Sequence, residues 1–230
     1  SAAAERSISS LTSSLGMLLK SAATIGTISF GLKASDELTA IDSKLRTVTD
    51  TMREFQIAQS GVRTAARATN STLASTADTY RSLARAMQGS GASQSDILGL
   101  TKTLNQAAIV SGEAAESINA ARIQLMQGLS SGVLRGEEFN SVTEQWSRLA
   151  QSIAKYAGVT VGQLRVMAND GKLTSQMVVA AIKADADAIA SEYEKVAMRL
   201  DTAFSRFSES LKQLVGKLAR RSGLSSAITG

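Results

Sequence analysis

The sequence predicts an all-α protein, a compact multi-helix bundle followed by a long coiled-coil-like helix. Three observations carry this. Pro is absent and Ala, Ser, Thr, Leu and Gln dominate; helix interiors tolerate Ala, Leu and Gln and exclude Pro. β-branched runs with period-two alternation are missing, so strands have no support. Apolar residues recur instead at steps of three and four, and towards the end of the sequence they do so without a clear stop signal. With 230 residues, 43% of them hydrophobic, there is enough material for one sizeable core plus an extended arm. Three parts follow: an apolar N-terminal helix over 1–34, a helical domain over 35–173 and a long helix over 174–230.

The first part centres on Leu15 to Leu32, LGMLLKSAATIGTISFGL, interrupted by Lys20 and by Gly16, Gly26 and Gly31. It is borderline for a membrane span, which wants about 20 predominantly apolar residues. Two readings stand: a helix buried against the domain or another subunit, and a membrane-active segment. No A-x-A cleavage site follows it, so it is not a secretory signal.

Ser35-Asp36 opens a helix carrying Leu38, Ile41, Leu45 and Val48. Thr51 and Glu54 have capping-box spacing and start another, with Phe55, Ala58 and Val62 inward and an end near Asn70. Ser71 to Gln88 places Leu73, Ala77, Tyr80, Leu83, Ala84 and Met87 on one face, and Gly89-Ser90-Gly91 stops it. Ser93 and Asp96 begin the next, which runs through Ile97, Leu100, Leu104 and Ala108 to Gly112. A helix over about Glu113 to Gly128 leads into a Gly- and Ser-rich loop, Leu129 to Gly136. One helix is expected over about Glu137 to Tyr156. A short one begins at Thr160, with Gln163 in capping-box spacing, and Gly171 is placed to close it.

From Thr174 to Arg221 a single helix is expected. Its stripe is Ile182, Ile189, Tyr193, Val196, Leu200, Phe204, Phe207, Leu211, Leu214 and Leu218, a heptad seam with one stutter at Leu200. A helix of that length spans about 70 Å. It reaches past a small domain, so the seam wants a partner. A second copy of the chain is the simplest, which makes the protein a homo-oligomer through this helix. The alternative is a hairpin with the N-terminal apolar helix.

Composition closes most chemistries. There is no His and no Cys, so serine-triad, thiol and zinc-thiolate sites are excluded. Glu137 and Glu138 are adjacent and Asp185 and Asp187 two apart, and neither pair converges on a helix. No Walker or dinucleotide glycine pattern occurs. No enzyme, cofactor or metal is expected. The net charge of +5 is spread along the chain, weaker than a nucleic-acid patch, and direct nucleic-acid binding is not favoured.

The middle of the chain resembles the N-terminal domain of bacteriophage and prophage tail tape measure proteins. The strongest run is SGVLRGEEFNSVTEQ, Ser131 to Gln145, continuing as SRLAQSIAKYAGVTVGQLRVMANDGKLTSQMVVAAI, Ser147 to Ile182. Upstream, LTAIDSKLRTVTDT at Leu38 to Thr51 and TADTYRSLARAM at Thr76 to Met87 match the family's opening helices. The family often has Pro shortly after the Glu-Gln pair, where Trp146-Ser147 stands here. No Pro therefore enforces a break at that point.

In the best-matching motif, Gly132 and Gly136 suit positive φ or close backbone approach. Val133 and Leu134 can plug the core. Glu137 and Glu138 suit the first turn of a helix, and Arg135 can pair with them. Gly132, Leu134, Arg135, Gly136, Glu138, Phe139 and Gly171 are thus read as fold determinants. The resemblance implies a structural protein of the virion tail that sets tail length from within the tube lumen. It implies several copies, partnership with tube protein and tail assembly chaperones, synthesis in the host cytoplasm, and ejection during DNA delivery past the host membrane. A membrane-active or pore-forming helical protein is the competing reading.

Overall fold

The computed structural model describes residues 36–221; in the last helix the side chains at 200, 201, 203, 204, 211, 212 and from 214 onwards fall outside that description. The apolar stretch Leu15 to Leu32, on which the membrane reading rests, lies outside the described residues. Among those described, no helix is long and apolar enough to cross a membrane.

The described chain is helical, with α1 at 36–46. After it come α2 (Met52–Ala68), α3 (Leu73–Ala86), α4 (Gln94–Ser111), α5 (Ala115–Ser131) and α6 (Gly136–Gln145). The rest are α7 (Ser147–Ala157), α8 (Val161–Asn169), α9 (Ser175–Ala184) and α10 (Ala186–Arg221). One isolated bridge, Val133 to Thr174, is the only extended pairing among the described residues.

The helix starts are where local chemistry puts them. Capping boxes form at Thr51–Glu54, Ser93–Asp96 and Thr160–Gln163, each satisfying two otherwise orphaned N–H groups. The ends use left-handed residues. Asn70 closes α2 at φ 51°, with the Ser71 N–H donating to Ala66 O at 3.0 Å. Gly171 (φ +67°) closes α8 in the same way, Lys172 N–H reaching Met167 O at 2.8 Å. Both are six-to-one bonds of the Schellman type.

The core is organised around α4, which packs against α2, α3, α7, α9 and α10. Ile97, Leu100, Thr101, Thr103, Leu104, Asn105, Gln106 and Ala107 are all buried. They cover a wide arc that leaves Ser95, Gly99 and Lys102 exposed on the remaining face, as expected of a helix with neighbours on most sides. Its buried amide is satisfied: Asn105 Nδ2 donates to Thr76 Oγ1 (3.0 Å) and Thr69 Oγ1 (3.3 Å).

Three expected boundaries are corrected. Helix α5 runs on to Ser131, so the expected loop shrinks to residues 132–135. The single helix over 137–156 is two, α6 and α7, broken at Trp146 (φ −133°, ψ 55°). The single helix from 174 is also two, α9 and α10, broken at Asp185 (φ −102°, ψ 7°). At both breaks one residue serves two helices. The Trp146 N–H ends α6 on Val142 O, while its carbonyl accepts from Leu149 and starts α7. The Asp185 N–H ends α9 on Ala181 O, while its carbonyl accepts from Ile189 and starts α10.

Candidate functional site: the root of the long helix

Among the described helices, the informative site is where the long helix leaves the domain. Two structures lead to it, a loop clasp at the start of α9 and a buried charge network at the α9–α10 break.

The clasp joins the segment after α5 to the turn before α9. Gly132, left-handed at φ +88°, ends α5. Its carbonyl accepts from Ser175 N–H and the Leu134 N–H donates to Leu173 O, both at 2.9 Å. Leu134, Phe139 and Leu173 are fully buried. Leu134 seats directly over Gly128 of α5, where a Cβ would collide with its side chain and approach its backbone Cα to 3.1 Å. Gly128 is therefore a determinant of the motif that sequence reasoning missed.

Gly136 does not have positive φ; its missing Cβ makes room for the Asn169 side-chain oxygen of α8. Close approach, the second of the two expected reasons, is the operative one. Glu137 and Glu138 occupy the first turn of α6, where the helix dipole favours negative charge. Arg135 is the exposed N-cap residue of α6, and no ion pair joins it to either glutamate among the described residues.

The charge network was not anticipated. Arg148 on α7 is 9% exposed and Asp185, at the α9–α10 break, 4% exposed. Arg148 Nη1 lies 2.8 Å from Asp185 Oδ2. Its other nitrogens bond both oxygens of Glu192 on α10. Ser152 Oγ donates to Asp185 at 2.8 Å, and Lys155 Nζ reaches the second Asp185 oxygen at 2.7 Å. Burial pushes the Asp185 carboxyl up, but hydrogen bonds from Lys155, Arg148 and Ser152 outweigh it and hold it below its ordinary value. The network ties α7 to the α9–α10 break and to the first turns of α10.

The expected seam divides at this root. Ile182 and Ile189 are fully buried in the core cluster and Tyr193 is nearly so. These three do not belong to a free stripe, because α9 packs against α4, α5 and α7 and the base of α10 packs against α4. Val196 is half-buried. Beyond it Met198 is 63% and Phe207 66% exposed. Leu200, Phe204, Leu211, Leu214 and Leu218 lie outside the described side chains.

No curated protein and no solved structure matches the chain. A family model described as tape measure protein matches residues 30–220, from before α1 almost to the end of α10. The chain belongs to the tape measure protein family, structural components of phage tails.

Proposed function

We propose that this chain, as a member of the tape measure family, sets tail length, with α10 beginning an extended helical part that lies in the tube lumen in several copies. The observation that carries the reading is the departure of α10. It is a helix of 36 residues, about 54 Å at 1.5 Å per residue, held at its base by Arg148, Asp185 and Glu192, with Met198 and Phe207 exposed farther along. A helix converts sequence length into distance at a fixed rate, which is what a ruler requires. The compact part is then an anchor at one end of that ruler. Partnership with tube protein and assembly chaperones, and ejection during DNA delivery, belong to the same reading.

The test is made in the intact phage gene. In-frame insertions or deletions of whole heptads after Arg221 should change tail length by about 1.5 Å per residue. Tails of unchanged length, measured by electron microscopy, overturn the ruler. The self-association of α10 that the reading needs is tested separately by sedimentation, as argued below.

A further inference from the structure

We infer that the apolar groove beside the root of α10 is the seat of the chain's own N-terminal segment, Leu15 to Leu32. Two surface cavities meet at the Asn70–Thr72 turn, and both are lined by it. The first opens at Leu38 on α1 and runs past Arg63 and Ala66 of α2. The second, about 580 Å³, is floored by Leu104, Ile109, Ile118 and Trp146 and ends at Val196 on α10. Together they make a path from the start of α1 to the last half-buried seam residue, polar at its mouth, where Arg63 and Arg67 stand, and mainly apolar in the second cavity.

The occupant follows from where the chain enters. Residue 36 begins α1, and Leu38, two positions on, is itself part of the groove's mouth. Leu32 is separated from α1 by Lys33, Ala34 and Ser35 alone, a connection of the length that joins neighbouring helices. Leu15, Leu18, Ala22, Ile25, Ile28 and Leu32 recur at steps of three and four, the spacing that would put them on one face of a helix of about 27 Å. A tethered segment reaches the groove at a high effective concentration, so it outcompetes a free partner of the same chemistry. Docking there would bury its apolar stripe and cover Ile109, Ile118 and Val196 in one step.

Cysteine pairing tests this in the full chain, which has no native cysteine. Ala108→Cys, at the groove, is paired in turn with Ala22→Cys, Ala23→Cys and Thr24→Cys; Val166→Cys on the exposed face of α8 replaces Ala108→Cys as the control. The expected result is an intrachain crosslink to position 108 in at least one pair, at least tenfold faster than to 166 and independent of protein concentration. Crosslinks that join two chains assign the groove to a second copy and overturn the inference, as does a rate to 108 no greater than to 166. As a second readout, Leu18→Asp with Ile25→Asp in the full chain should raise binding of an environment-sensitive apolar dye severalfold. No rise means the groove was already bare, which also overturns it. Neither outcome bears on the ruler.

Discussion

Helices α4 and α10 differ in material and meet different fates: Asp96 and Lys102 are the only charged residues among the 18 of α4, whereas twelve of the 36 residues of α10 are charged. In α4 buried residues cover most of the helix, Thr101, Asn105 and Gln106 among them, and leave Ser95, Gly99 and Lys102 exposed. Among the described side chains of α10, Ile189 and Tyr193 at the base are buried, Val196 is half-buried, and Phe207 stands out in solvent. An apolar stripe does not by itself say where it will be buried. That is decided by which helices fold back over it, and among the described helices α4 is the main one packed against α10.

The sharpest way to break this contrast is to release the base of α10. Arg148→Ala leaves Asp185 buried with Lys155 as its remaining cationic partner and frees Glu192. Removing one member of a buried pair typically costs about 3–5 kcal/mol. The low end is expected here because Lys155 remains. Urea denaturation should show the loss, and the same substitution should change the angle at which α10 leaves, measured by distances between spin labels on α8 and the exposed part of α10. A variant as stable as the parent would mean the network is ornamental.

What was legible in the sequence follows the same division. Capping boxes and Gly171 need only residues within one turn of each other, and Thr51, Ser93, Thr160 and Gly171 could be placed from spacing alone. The two single-residue breaks could not. Trp146 carries no Pro or Gly beside it, and its break comes with a buried indole, 1% exposed, packed in the core. Asp185 breaks its helix where it meets Arg148, thirty-seven positions earlier in the chain (185 − 148), and such a pairing leaves no local signal. The seam misread Ile182, Ile189 and Tyr193 for the same reason: periodicity identifies an inward face but not which interior it faces.

Smaller effects are expected at the clasp. Gly128→Ala drives a methyl into Leu134 and should cost about 1–3 kcal/mol, the usual range for overpacking. Gly136→Val meets Asn169, a side chain that can move, so about 1 kcal/mol is expected, the low end of the same range. Thermal melts would rank the two, and the reverse order would mean that the clasp is held from α8 and not from α5.

Acid should loosen the compact part further. The Asp96 carboxyl is pulled down to about 2 by the Lys183 ammonium and by the hydroxyl and N–H of Ser93. A carboxyl depressed in the folded state contributes stability above its unfolded pKa and loses it as pH falls through the folded value. The window is therefore from about pH 4, the ordinary Asp value, down to about 2. Urea midpoints of the parent should fall across it, and those of Asp96→Asn should fall less. Equal slopes would assign the acid sensitivity to other groups, Asp185 among them, whose carboxyl is depressed in the same direction.

The smallest effect on the folded chain, and the most telling for the contrast, is expected at the far end of α10. Phe207 is exposed, so Phe207→Asp removes nothing the monomer buries. Changes at such positions usually stay within about 0.5 kcal/mol. Leu200→Asp with Leu211→Asp should be equally silent in a melt if those residues share its stripe. Association should respond instead. The residues from Val196 to Leu218 keep steps of three and four, and a large apolar side chain fully buried gains roughly 1.5–3 kcal/mol. Pairing with the same stripe on other copies would remove several such exposures at once. Tyr193 is already occupied within the domain, which leaves Phe204 and Phe207 as the aromatic seam positions, and their bulk favours more than two strands. The parent should therefore sediment as an oligomer at tens of micromolar, and the Asp variants as monomers of unchanged stability. A parent that is monomeric there would mean that the stripe is satisfied within one chain, and that α10, like α4, is covered by other parts of its own chain.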